Sequence, residues 1–310
     1  MRKAFIDTMC SLAELDERIL LLTGDLGYMA MEPFQERFSA RFFNTGIAEQ
    51  NMIGVATGLA EAGMIPYAYS IATFAALRPF EFIRNGPVLH RLPVRVVGMG
   101  AGFEYGTAGQ THHAVEDIGV MRTLPGLTVI IPADSTQAAK AIRSTFGLAG
   151  PVYYSLAKDD RIEIPGLDGR FDLGRMQLLR DGADLAIIAM GSITAEAVAA
   201  ADELADEGIR AAVSVVSNFH PDPEEDAVRL LRNVPHAISI ESHTLSGGLA
   251  AFIATVIASH GLGCRLWPMG VRRPPDGTSG SPANRLRKHG LNSFHVVQTA
   301  RLAIRGRGDC

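Results

Sequence analysis

The chain has 310 residues, 47% of them apolar and 20% charged, with a formal charge of −4 at pH 7. This balance fits a globular protein of two domains and gives no basic surface for nucleic acid. Cys10, Cys264 and Cys310 lack metal-ligand or disulfide spacing, and neither a secretory signal nor a bilayer-length apolar run is present, so a cytoplasmic protein is expected.

Residues 3–17 carry Phe5, Met9, Leu12 and Leu15 at helical spacing. The apolar run 19–24 then ends in Gly, as a buried parallel strand does. A short strand over 41–44 leads to a helix over 47–62, and a strand over 65–69 to a helix over about 74–85. Strands over 94–99, 127–131 and 152–155 follow, with a Gly-rich loop after the first and a helix over 135–147 before the last. Residues 159–174 hold Pro165-Gly166 and Asp168-Gly169 and read as a linker between domains at 1–158 and 175–310. A second series then runs through strands at 184–189, 211–216 and 237–241, a helix over 193–207 and a helix start at Gly247-Gly248. The Pro/Gly/Ser-rich stretch 272–282 reads as a loop. Alternating strands and helices predict an α/β fold of two doubly wound domains with mostly parallel sheets.

Three stretches could carry chemistry. Asn44 to Ala60 opens at a Thr45-Gly46 turn and continues as a helix of small residues, with Glu49 in its first turn at the positive end of the dipole. Taken alone, this is a tightly packed helix with an ordinary first-turn charge. Tyr67 to Glu81 places Phe74 and Phe80 on either side of Arg78 near a strand end, which is either core packing or a ring-binding surface. Gly100 to His113 follows a strand's carboxyl end, where open α/β sheets place ligands, but it lacks a strict dinucleotide fingerprint. Its His112-His113 pair has no familiar metal-ligand spacing, and Glu116 and Asp117 read as first-turn helix charges.

In order and spacing, these segments resemble the C-terminal half of a transketolase. The likeness rests on Gly46-Ile47-Ala48-Glu49-Gln50-Asn51-Met52, Ala72-Thr73-Phe74 with Arg78-Pro79-Phe80-Glu81, and Gly109-Gln110-Thr111-His112-His113 with Glu116-Asp117. Leu124-Pro125-Gly126 and Glu241-Ser242-His243 before Gly247-Gly248-Leu249 extend it over nearly the whole chain. The resemblance implies a thiamine-diphosphate enzyme that moves a two-carbon ketol unit from a ketose to an aldehyde. It makes Glu49 the carboxyl that hydrogen-bonds N1′ of the aminopyrimidine, in a dry site where desolvation raises its pKa. Phe74 and Phe80 match aromatic positions around the pyrimidine, with Arg78 between them on the same cofactor-binding surface. Asp25 resembles an acidic position near the thiazolium. His112 matches the histidine that meets the donor-end oxygens of substrate, and Lys158 stands where the family often has a substrate-binding Arg.

The family holds the diphosphate and Mg²⁺ with a Gly-Asp-Gly segment and a following Asn, and this chain contains no Gly-Asp-Gly. The resemblance therefore implies a split transketolase with a separate N-terminal subunit, assembled as a two-fold heterotetramer around a homodimer of this chain. Ala108 replaces an Asp common in enzymes of sugar phosphates, the Gly100-Ala101 region replaces a loop histidine, and Lys158 lacks the fork of an Arg, so a non-standard acceptor is expected. The alternatives are the β subunit of a 2-oxoacid dehydrogenase, a 1-deoxyxylulose-phosphate synthase-like enzyme, a non-catalytic assembly subunit, and a metal hydrolase using His112 and His113.

Overall fold

In the computed structural model, residues 1–272 and 276–306 are described; Cys310 and residues 273–275 of the expected loop lie outside them. The first sheet contains β1 (Ile19–Thr23), β2 (Phe42–Asn44), β3 (Ile65–Ile71), β4 (Arg95–Met99), β5 (Thr128–Ile130) and β6 (Val152–Leu156). The second contains β7 (Met176–Arg180), β8 (Leu185–Met190), β9 (Ala211–Val216), β11 (His236–Thr244) and β12 (Arg265–Val271), while β10 (Asn218–Phe219) joins the first. The orders are β10-β5-β6-β4-β3-β1-β2 and β12-β11-β8-β9-β7.

All pairings are parallel except β10 with β5 and β7 with β9. The runs that form β1, β4, β6 and β8 are buried along their whole length, as parallel strands covered on both faces must be. Helices of small residues cover them, including Glu49–Glu61, which contacts β3 and β1. Arg95 sits fully buried in β4 because its guanidinium donates to the carbonyls of Phe146, Leu148 and Gly150 at the C-terminal end of the helix Ser135–Thr145. Cys10 and Cys264 are buried free thiols.

The expected helix over 74–85 is broken. It divides into Ala72–Leu77 and Phe80–Ile83, followed by a wide turn at Arg84–Val88. Pro79 explains the break, since it has no N–H to continue the ladder. Strands β7 and β12 and the helices Glu32–Arg37, Glu224–Arg232, Pro282–Lys288 and Ser293–Arg305 are additions to the expected pattern. The helix Pro282–Lys288 starts where a loop was expected to end, capped by the Ser281 hydroxyl, which accepts from the Asn284 N–H.

The two sheets are joined through the helix Asp117–Met121. The Gly119 N–H donates to Nε2 of His243 at 3.0 Å, and Nδ1 of that ring lies 2.6 Å from the Thr244 carbonyl, so the hydrogen is assigned to Nδ1. Arg122 donates to the Gly247 and Gly248 carbonyls and lies 3.8 Å from the Phe219 ring centroid.

Candidate active site

The chain goes from β1 to β2 on one side and returns by the helix Glu49–Glu61 to β3 on the other side of β1. That reversal opens a crevice at the carboxyl ends of β1 and β3, the place where open α/β sheets bind ligands. Glu49 stands there at the first position of its helix, only 1% exposed. Gly24, just past β1, lets the backbone come close: a Cβ on it would lie 3.2 Å from the Gly46 carbonyl and 3.8 Å from Oε1 of Glu49.

Both oxygens of the Glu49 carboxyl are engaged. Ser70 in β3 donates its hydroxyl to Oε1 at 2.9 Å, and Arg78 donates to Oε2 at 3.0 Å. The Arg78 guanidinium also lies 4.0 Å from the Phe74 ring centroid. Phe74 in turn meets the His112 ring edge-on, with centroids 5.0 Å apart. His112 is oriented by the Thr111 hydroxyl, 2.9 Å from Nδ1, and its ring centroid lies 6.2 Å from that of Tyr105. Lys158 completes the series, with Nζ 4.9 Å from the Tyr105 centroid.

Glu49, Phe74, Arg78 and His112 are thus brought together, and Lys158 reaches the group only through Tyr105. Asp25 is next to the crevice but turns elsewhere: its carboxylate accepts from the Asn44 amide and the Tyr28 hydroxyl, which hold its pKa below the usual range. Phe80 packs half-buried against the core cluster that includes Met52 and Ile53. The two histidines face different ways. His113 is buried, its ring edge-on to Phe103 and its Nε2 3.5 Å from the Gly106 carbonyl, so the pair does not converge on a metal. Among the described residues, no group of three His, Cys, Asp or Glu side chains is placed to hold a metal ion.

The transketolase pyrimidine-binding domain family matches residues 1–160, and the transketolase C-terminal domain family matches residues 174–296. The chain belongs to the transketolase family. It is 36% identical to a putative transketolase C-terminal section of Methanocaldococcus jannaschii over 96% of this chain and 94% of that one. It is 34% identical to a 6-deoxy-6-sulfo-D-fructose transketolase subunit of Clostridium sp. strain MSTE9, covering 84% and 81% of the two. A solved split-gene transketolase, in an inactive β4 tetramer, superposes with a TM-score of 0.88 at 34% identity over 98% of both chains.

Sequence reasoning missed several transketolase residues that build this crevice. Ser70 lies within the stretch Tyr67 to Glu81, at the polar end of an apolar strand, and that position was its only signal. Asn44 accepts from the N–H groups of Asp25 and Gly46 and so ties the two loops together. Arg78 is a further partner of Glu49 of which the sequence carries no sign: the two form an ion pair, with the Arg78 side chain 42% exposed. No sequence period relates an N-terminal helix residue to an Arg beyond the next strand.

Proposed function

We propose that this chain is the C-terminal subunit of a split, thiamine-diphosphate-dependent transketolase that transfers a two-carbon ketol unit from a ketose to an aldehyde. The observation that carries the reading is the buried Glu49 carboxyl, linked through Arg78 to the half-buried Phe74 ring and through that ring to His112. That set suits an aminopyrimidine, offering an acceptor for a ring N–H and an apolar surface for the ring. When bound, the cofactor supplies the nucleophilic carbon of ketol transfer.

The remaining chemistry belongs to the protein. Glu49 holds and returns a proton at N1′ of the aminopyrimidine, with Ser70 fixing one carboxyl oxygen. The other oxygen exchanges Arg78, whose side chain is 42% exposed, for the aminopyrimidine. Phe74 orients the ring, and His112 steadies charge on substrate oxygens. Lys158 supplies a point charge at the far end, and Asp25 and Phe80 support the walls.

The diphosphate and Mg²⁺ are assigned to a separate N-terminal subunit. Exposed apolar side chains next to crevice residues in the chain, Phe43 before Asn44, Ile47 before Glu49 and Leu77 before Arg78, support docking of another chain there. Ala108 and Lys158 favour an acceptor outside the usual pair of phosphorylated aldoses. The test is to titrate thiamine diphosphate and Mg²⁺ into the isolated chain and into the complex co-purified from its host. Tight binding only in the complex supports the split site. Tight Mg²⁺-dependent binding by the isolated chain rejects it, and no binding in either state removes the catalytic reading.

A further inference from the structure

Asp117 stands in the first turn of its helix, as expected, but its carboxyl is buried. It is 1% exposed, and its Oδ2 accepts from the Tyr153 hydroxyl at 2.7 Å and the Ser155 hydroxyl at 2.8 Å, both from β6. Oδ1 has no partner among the described residues. Burying a carboxylate this way is costly unless something is gained from its position. The short helix that carries it does not depend on it for attachment: Ile118 and Met121 are buried, and Gly119 is bound to His243.

The register across the sheet gives the reason. Ser70, Gly98 and Ser155 are neighbours on β3, β4 and β6, so the Ser70 and Ser155 side chains point to the face that the Gly98 Cα leaves bare. On that face, the Ser70 hydroxyl goes to Glu49 and the Ser155 hydroxyl to Asp117. Gly98, between them, is the seat of the helix Ala72–Leu77. A Cβ there would lie 2.5 Å from the Tyr153 hydroxyl and 2.9 Å from the Ala72 Cα. The Tyr153 hydroxyl, held by Asp117, therefore shares this seat with the first residue of the helix that bears Phe74 and leads into Arg78.

We propose that Asp117 is a positioning residue for the Glu49 group: through Tyr153 it fixes the seat of the helix Ala72–Leu77, and so the placing of Phe74 and Arg78 against Glu49. This rests on the reading of the Glu49 group as the active site.

Amide hydrogen exchange on the full chain tests it. In Tyr153→Phe, which keeps the ring, and in Asp117→Ala, exchange at residues 72–78 rises about tenfold relative to residues 185–216, while Asp117→Asn, which keeps an oxygen for the hydroxyls, stays within about threefold of the parent. In the assembled enzyme, Tyr153→Phe raises the KM for thiamine diphosphate about tenfold and changes kcat less. Exchange at 72–78 that merely follows the global change, or an Asn variant as damaged as the Ala variant, overturns the proposal. A parent complex that binds no thiamine diphosphate removes the active-site reading instead, and the exchange data then still decide whether Asp117 seats the helix.

Discussion

Arg78 and Glu49 form an ion pair with one partner in solvent and the other buried, at 42% and 2% side-chain exposure. The Arg also lies against Phe74, so one cation contacts both residues assigned to the pyrimidine. The exposed Arg can be solvated away from the pair, whereas the buried carboxyl needs another donor in its place.

Glu49→Gln keeps the size of the side chain and an acceptor for Ser70, but cannot carry the proton. In the assembled enzyme, ketol transfer is expected to fall by roughly 10²–10⁴-fold. The circular dichroism spectrum and melting temperature should change little. Retention of full activity would remove Glu49 from the reaction.

Arg78→Met leaves a buried carboxylate without its counter-charge, and stability should fall by about 1–3 kcal/mol. Adding Glu49→Gln to the same chain should recover most of that loss, because the uncompensated charge is gone. Urea unfolding of the two single variants and the double variant measures the coupling. Simple additivity would mean that the pair contributes nothing.

Burial pushes the His113 imidazole below its usual 6.5. In the unfolded chain this group takes a proton as pH falls through 6.5; in the folded chain it does so only at lower pH. Its contribution to stability is therefore present above 6.5 and is lost as pH falls from 6.5 to the lower folded value. His113→Phe keeps a ring against Phe103 and should flatten this part of the profile. Unfolding free energies at about pH 7.5 and about pH 5.5 give the slope, and an unchanged slope would reject the assignment.

Glu241 is fully buried and accepts from the N–H groups of Leu249 and Ala250 at the start of the helix Leu249–Ser259, each at 2.8 Å. Desolvation pushes its pKa up, with His243 opposing. Glu241→Ala orphans both donors and should cost about 1–3 kcal/mol, with Glu241→Gln milder because it keeps an oxygen. Thermal unfolding ranks the three proteins. An Ala variant as stable as the parent would show that the cap is replaceable.

The α/β class was legible because the expected strands at 19–24, 94–99, 152–155 and 184–189 are short, apolar-rich runs alternating with helical ones, and the structure has strands at each of these places. The helices Glu224–Arg232 and Ser293–Arg305 were not legible: they bury only Ala227 and Leu231 in the first and Val296, Val297, Ala300 and Ala303 in the second, and neither carries a motif. Glu49, Phe74 and His112 were legible through the order of their motifs, and the structure places them in one crevice. Ser70, Asn44 and Asp117 were not. Their roles arise from register across the sheet and from contacts between segments 19 to 38 residues apart. Such contacts leave no local pattern in the sequence.

Only Ser217 separates β9 from β10, and its carbonyl accepts the Ile131 N–H beside β5. A single extended segment therefore serves as an inner strand of one sheet and the outer strand of the other. A chain cut at the boundary between its halves would leave the β5 edge bare, with open N–H and C=O groups that invite pairing with other molecules. The first half on its own is then an aggregation hazard, and attempts to study cofactor binding on it alone should begin from the whole chain.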